Sequence, residues 1–107
     1  MRKFTLGTSK EQILSMINER SIKRVLVGDQ KIALVRIGDE FFAFQSFCPH
    51  RGASLLEGSI NSINEIICPL HQYRFELNSG RVTAGSCTDL ETYPTSLTDN
   101  GLVITLP

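Results

Sequence analysis

The sequence predicts a small all-β domain with one N-terminal helix. Three observations favour this fold class: short apolar runs with strand-like alternation follow one another from Ile22 onward, Gly-Asp and Asn-Gly pairs separate several of them, and only one stretch near the N-terminus has helical periodicity. A length of 107 residues with 41% hydrophobic and 21% charged residues suits one compact unit. We therefore expect residues 1–107 to form a single domain.

The N-terminal elements are predicted to be a short strand at residues 3–6 and then the helix. Thr8 or Ser9 can cap a helix that continues to about Arg20, because both side chains can accept a hydrogen bond from the first turn. Three apolar residues fall on one face of this helix, with Met16 beside them: Ile13, Leu14 and Ile17. This stripe is typical of packing against a core.

The next three strands are expected at Ile22–Val27, Lys31–Ile37 and Glu40–Gln45, separated by the turns Gly28-Asp29 and Gly38-Asp39. This spacing is typical of a meander. Further strands are predicted on both sides of a turn at Asn61–Asn64, at Tyr73–Leu77 and Arg81–Thr83 around Asn78-Ser79-Gly80, and at Leu102–Leu106 after Asp99-Asn100-Gly101.

Composition argues against several classes of partner and location. Lys plus Arg and Asp plus Glu both number 11, and this balance disfavours nucleic acid, which selects basic surfaces. No run of about 18 apolar residues is present, so we expect no membrane insertion. Met1-Arg2-Lys3 is not followed by the apolar segment of a secretory signal, and three cysteines is an odd count. These features predict a cytoplasmic protein whose cysteines serve metal or thiol chemistry.

Two segments within residues 46–76 carry the candidate chemistry. Cys48-Pro49-His50-Arg51-Gly52 and Cys68-Pro69-Leu70-His71 each offer one thiol and one imidazole, with 17 residues between His50 and Cys68. These loops use both histidines of the chain and fall where strands are expected to end. The pattern suits a [2Fe–2S] cluster with two Cys on one iron and two His on the other. Gly52 is expected to allow the close backbone approach that N–H···S bonds need.

Two other interpretations of these residues remain open on the pattern alone. Zinc accepts two Cys and two His, although structural zinc sites usually pair Cys with Cys and His with His in closely spaced motifs. A Cys48–Cys68 disulfide with incidental histidines is the third interpretation. Cys87 is left over in each case and is expected to be a small buried apolar residue.

The stretch Ala43–Leu55 resembles the first cluster loop of low-potential Rieske-type ferredoxins, and Cys68-Pro69-Leu70-His71, followed by Phe75, Leu77 and Gly80, resembles the second. The similarity extends more loosely from Val25 to Leu106. It implies the Rieske fold of three stacked antiparallel sheets with the cluster-binding loops at the tip and both histidines exposed. Two positions depart from the family pattern: Gln72 stands where Gly is common, and Ala84-Gly85-Ser86 lacks a common Pro.

The resemblance also implies a function. Such ferredoxins are not enzymes themselves but carry single electrons, commonly from a flavin reductase to a Rieske-type oxygenase. We therefore expect the chain to hold a Rieske [2Fe–2S] cluster through Cys48, His50, Cys68 and His71 and to dock reductase and oxygenase partners. A small subunit of a reductase complex and a redox-sensing regulator are the alternative functions.

Overall fold

The structure, a computed structural model that describes residues 1–107, contains three antiparallel sheets and one short helix. This arrangement confirms the predicted fold class. The first sheet joins the two ends of the chain, since its strand order is β1-β11-β10. Its strands are β1 (Arg2–Leu6), β10 (Thr95–Thr98) and β11 (Gly101–Leu106). The short strand β10 was not predicted, because Thr95-Ser96-Leu97-Thr98 has little apolar character.

The middle sheet contains the predicted meander. Its strand order is β2-β3-β4-β9, and the strands are β2 (Ile22–Val27), β3 (Gln30–Ile37), β4 (Glu40–Gln45) and β9 (Thr92–Tyr93). Both predicted Gly-Asp turns lie between these strands. The two-residue strand β9 was missed because it is too short to show an alternation of its own.

The third sheet has the order β5-β6-β7-β8. Its strands are β5 (Ser59–Ile60), β6 (Glu65–Ile67), β7 (Arg74–Glu76) and β8 (Val82–Ala84), and a 3₁₀ helix at Leu55–Glu57 precedes them. The hairpin around Asn61–Asn64 is confirmed, but the strands on both sides of Asn78-Ser79-Gly80 are shorter or shifted by a residue. Short strands leave most of this region as loops, which is where the candidate ligands lie.

The centre of the middle sheet is buried on both faces and divides the core in two. All four residues from Ile32 to Val35 in β3 are fully buried. Ile32 and Leu34 pack with the helix and the first sheet, whereas Ala33 and Val35 pack toward the third sheet. A strand covered on both faces has a continuous apolar sequence rather than an alternating one, as this segment does. The second half of the core includes Cys48 and Cys68.

The helix α1 spans Lys10–Met16, so the predicted end near Arg20 was wrong. Its start is as predicted, because the Ser9 hydroxyl accepts a hydrogen bond from the Gln12 N–H at 3.1 Å. At the other end Ile17 is extended, and the Arg36 side chain donates to the carbonyl oxygens of Leu14 and Ile17 at 3.0 Å each. A side chain from β3 therefore completes the last turn. No helix has the length and apolar character needed to cross a membrane.

Candidate metal centre

The two Cys/His segments form adjacent loops beside the third sheet. Loop 1, residues 46–54, follows β4, and loop 2, residues 68–73, joins β6 to β7. The rings of His50 and His71 have centroids 5.5 Å apart, although the residues come from different loops. The structure therefore brings the two loops together, as the sequence predicted from their positions at strand ends.

Backbone hydrogen bonds close loop 1 on itself. The Cys48 N–H donates to the Ala53 carbonyl and the Gly52 N–H donates to the Cys48 carbonyl, each at 2.8 Å. Gly52 has φ +72°, and a side chain there would meet nothing within 4 Å. Glycine is thus favoured by its left-handed backbone. The close approach of the Gly52 backbone to cluster sulfur stays a prediction.

Loop 2 has a tighter backbone. The Cys68 N–H donates to the Tyr73 carbonyl at 2.8 Å, and two consecutive residues, His71 and Gln72, have φ values of +64° and +56°. Residues other than glycine rarely adopt this left-handed region. Gln72, where the family commonly has Gly, occupies a conformation that glycine adopts freely.

The thiols of Cys48 and Cys68 lie in the core, with 2% and 1% of their surface exposed. Burial raises the pKa of the Cys68 thiol, and the neighbouring Cys48 contributes to the same shift. A buried thiol with a raised pKa resists losing its proton to water, so a bound cation is the natural means of holding Cys68 as a thiolate. All three cysteines are free, which excludes the disulfide interpretation for this structure.

The two imidazoles differ in their surroundings. His71 is exposed, whereas His50 is half-buried and its Nδ1 atom is fully buried without any hydrogen-bond partner. The expectation that both histidines are exposed therefore holds only for His71. Burial lowers the pKa of His50, with smaller contributions from Arg51 and His71. The neutral imidazole is the form that binds metals.

These four side chains fit a two-iron cluster. They form a thiol pair and an imidazole pair, which is the donor set that a Rieske [2Fe–2S] cluster requires. A buried polar atom without a partner is costly in a folded protein, and coordination of a metal by His50 Nδ1 would satisfy it. No three His, Cys, Asp or Glu side chains converge on a single point.

Tyr73, which was expected to begin a strand, is a residue of this site. Its ring is stacked on that of His50, with centroids 4.0 Å apart and planes inclined by 6°. Gly85 contacts the same tyrosine ring from the segment 84–87, which we call loop 3. The proximity of Tyr73 to His71 in the sequence is the only signal that could have indicated this role. Cys87, also in loop 3, is half-buried and packs on the second half of the core.

Polar side chains that the sequence analysis did not single out anchor the start of loop 1. Gln45 donates to the Phe47 carbonyl at 2.7 Å and accepts from the Glu91 N–H at 2.8 Å. The Ser46 hydroxyl donates to the Lys31 carbonyl at 3.1 Å. These bonds tie loop 1 to the middle sheet and to the segment that follows loop 3.

Solved structures of similar fold include ferredoxins of oxygenase systems. The ferredoxin of carbazole 1,9a-dioxygenase from Nocardioides aromaticivorans IC177 superposes with a TM-score of 0.84 at 24% identity, covering 100% of each chain. A second match, in a complex of reduced oxygenase and oxidized ferredoxin of carbazole 1,9a-dioxygenase, has a TM-score of 0.77 and 27% identity, covering 96% of this chain and 92% of the other. At 24% identity, the match to the Nocardioides aromaticivorans ferredoxin shows a similarity of fold alone.

Sequence comparison identifies the family. The chain is 38% identical over 77 residues to the 3-phenylpropionate/cinnamic acid dioxygenase ferredoxin subunit of Escherichia coli (strain K12), covering 71% of this chain and 73% of the relative. The model of the Rieske [2Fe–2S] domain matches residues 10–94, which include both loops and all four predicted ligands. This chain therefore belongs to the Rieske [2Fe–2S] domain family.

Proposed function

We propose that the chain is a single-electron carrier in which Cys48 and Cys68 ligate one iron of the [2Fe–2S] cluster and His50 and His71 ligate the other. The observation that carries this proposal is the pairing of two buried thiols beside two imidazoles, one of which has a buried Nδ1 without a partner. When bound, the cluster supplies a one-electron redox couple. We further propose that residues 1–107 act as one Rieske domain.

The protein contributes a different environment on each side of this site. The thiols face the core formed by the middle and third sheets, which keeps water away from them. The imidazole of His71 faces solvent, so the route for an electron to a partner protein leads through the histidine side. An electron carrier needs this asymmetry, because its redox centre must be shielded yet reachable at one edge.

The surface around His71 supports docking of another protein. Leu70 and Phe47, each next to a ligand in the sequence, are 40% and 59% exposed, and Arg51 and Gln72 are exposed as well. Transient redox contacts are small and depend on few residues. Exposed apolar side chains and a cation beside the ligands suit such a contact.

The names of the relatives indicate the partners. The matched Escherichia coli protein is named as a dioxygenase ferredoxin subunit, and one matched structure is a complex of a ferredoxin with an oxygenase. We propose that this chain likewise takes electrons from a reductase and delivers them to an oxygenase or a similar terminal enzyme. A cytoplasmic location would suit this role.

Metal analysis and EPR spectroscopy of the purified protein test the ligand assignment. Wild-type protein is expected to contain about two irons per chain and to give, after reduction, an EPR signal with an average g value below that of the free electron. Replacing Cys48, His50, Cys68 or His71 by Ala should abolish the signal. Cys87→Ser is the matched control, because it removes the third thiol of the same region and should leave the signal intact.

Two results would contradict the proposal. Stoichiometric zinc without iron in the wild-type protein would show that these residues bind zinc and not an iron–sulfur cluster. Loss of the signal in Cys87→Ser, with retention in Cys48→Ala or Cys68→Ala, would show that the ligand set is different.

A further inference from the structure

The stack of Tyr73 on His50 links loop 2 to the candidate ligand of loop 1. The two rings are nearly parallel, and their 4.0 Å centroid separation is that of rings in direct contact. One face of the His50 imidazole is therefore covered by an aromatic ring. Rotation of the imidazole about its Cβ–Cγ bond would break this contact, so the stack restricts the direction in which Nδ1 points.

The tyrosine ring is itself held in place by loop 3. A Cβ atom added to Gly85 would lie 2.3 to 2.5 Å from three atoms of the ring, which no real side chain could tolerate. The backbone of loop 3 therefore packs directly on Tyr73, and only glycine permits it. The Tyr73 carbonyl also accepts the Cys68 N–H at 2.8 Å, so the residue is fixed by its backbone as well as by its ring.

From this geometry we infer that Tyr73 is a positioning residue for His50 and that its ring lowers the reduction potential of the cluster. The inference rests on the proposed function, in which His50 is an iron ligand. The face of an aromatic ring carries negative electrostatic potential and attracts positive charge. An iron-bound imidazole is more positive when the cluster is oxidised, so the ring stabilises the oxidised state more than the reduced state.

Shielding from water acts in the same direction. The reduced cluster carries one more negative charge than the oxidised cluster, and water would stabilise that charge. Tyr73 covers one face of His50 and thereby excludes water from it. Removal of the ring should thus raise the midpoint potential through both effects. Both effects are assigned to the ring and not to the phenol hydroxyl, because it is the ring that contacts the imidazole.

The test compares three variants of the cluster-loaded protein by film voltammetry and by EPR of the reduced form. Tyr73→Leu is expected to raise the midpoint potential, to change the g values and to lose its cluster about 10-fold faster than wild type. Tyr73→Phe keeps the ring and should match wild type in all three measurements. Phe4→Leu is the control, because it removes an aromatic ring from β1, which packs on the half of the core away from the ligand loops.

Gly85→Ala provides an independent route to the same change, since the new methyl group should displace the ring while Tyr73 remains. It is expected to raise the potential and to alter the g values in the same direction as Tyr73→Leu. If Tyr73→Leu retains no cluster, Gly85→Ala decides by the same two measurements. Loss of the cluster from both Tyr73→Leu and Gly85→Ala, with retention in Tyr73→Phe and Phe4→Leu, would also support the positioning role.

Other outcomes overturn the inference. Wild-type potential and g values in Tyr73→Leu would show that the ring does not influence the cluster, and a change of equal size in Tyr73→Phe would assign the effect to the hydroxyl. A wild-type protein without the Rieske EPR signal would instead contradict the proposed function. The two failures are therefore distinguished by the wild-type spectrum.

Discussion

Two residues in or beside the third sheet have features that affect its stability: one has a left-handed backbone and the other a buried carboxyl group. Gln72 has a left-handed backbone in loop 2, and Glu65 in β6 is a carboxyl group with only 6% of its surface exposed. Neither is a candidate ligand. Both lie close in sequence to one, and each therefore affects how firmly the ligand loops are held.

Replacing Gln72 by Gly is expected to stabilise the protein. Gln72 has φ +56°, where a side chain is strained and glycine is not. Part of that gain is offset because glycine makes the unfolded chain more flexible, so the free energy of unfolding should rise by about 1 kcal/mol or less. Denaturant unfolding of the cluster-loaded protein measures this difference, and the EPR spectrum should stay unchanged.

Ser62→Gly is the matched control for this prediction. Ser62 is also exposed in a turn but is not among the residues with positive φ, so glycine should lower stability there. If Gln72→Gly lowers stability as Ser62→Gly does, the left-handed backbone at Gln72 is not a source of strain.

The Glu65 carboxylate should make stability depend on pH. The Thr83 hydroxyl donates to one of its oxygens and the Asn61 amide donates to the other at 2.7 Å. These bonds lower the pKa of Glu65, although burial acts in the opposite direction. A lowered pKa gives stability that is present above the ordinary glutamate value of about 4.3 and is lost as the pH falls through the folded-state pKa.

Glu65→Gln should therefore be less stable than wild type at neutral pH, because the amide is neutral and offers one accepting oxygen where the carboxylate offers a charged oxygen to each donor. The difference in free energy of unfolding between the two proteins should shrink as the pH falls below about 4. Unfolding curves at several pH values check this, with Glu57→Gln, at an exposed acid, as the control. If the difference in free energy of unfolding between wild type and Glu65→Gln stays constant over this pH range, the charge of Glu65 does not contribute to stability.

At the scale of elements, the sequence predicted what depends on local pattern and missed what depends on distant contacts. The strands β2 to β4 and their Gly-Asp turns follow from alternation and turn chemistry. The helix end does not, because Ile17 continues the apolar stripe and only Arg36 of β3 shows where the helix stops. The strand β9 exists because β4 pairs with it. In the same way, the four ligand candidates follow from residue type and spacing, whereas the Tyr73 stack depends on how two loops meet.

Arg36→Met is expected to destabilise the helix and its packing. The Arg36 side chain donates to the carbonyls of Leu14, Ile17 and Gly38 at 3.0, 3.0 and 2.6 Å. Hydrogen bonds from a charged group are stronger than neutral ones, and methionine would keep only the apolar stem, so the free energy of unfolding should fall by about 2 kcal/mol. Arg24→Met, at an exposed position of β2, is the control and should change it little. Equal unfolding curves for the two variants would contradict the capping role.

At the scale of the whole molecule, one half of the core supports the fold and the other half contains the ligand loops. The first sheet and the helix pack on one face of the middle sheet, and the third sheet with both ligand loops lies on the other. The Arg20 side chain, which donates to the Asn61 carbonyl at 2.7 Å, links the two halves. The whole chain has a net charge of zero, so only the local placement of charges can steer a partner. Docking should therefore depend on residues of the two ligand loops and be insensitive to charges on the middle sheet.

Arg51 provides the test of this division. It is exposed and directly follows His50, so its charge can steer an acidic partner toward the histidine edge. Arg51→Glu is expected to slow electron delivery to the partner several-fold at low salt, with the loss shrinking as salt screens the charges, while the EPR spectrum stays unchanged. Arg24→Glu changes the net charge equally but lies on β2 and should have little effect. Stopped-flow reduction of the partner at two ionic strengths measures both. If Arg24→Glu slows the reaction and Arg51→Glu does not, the partner binds the middle sheet instead of the ligand loops.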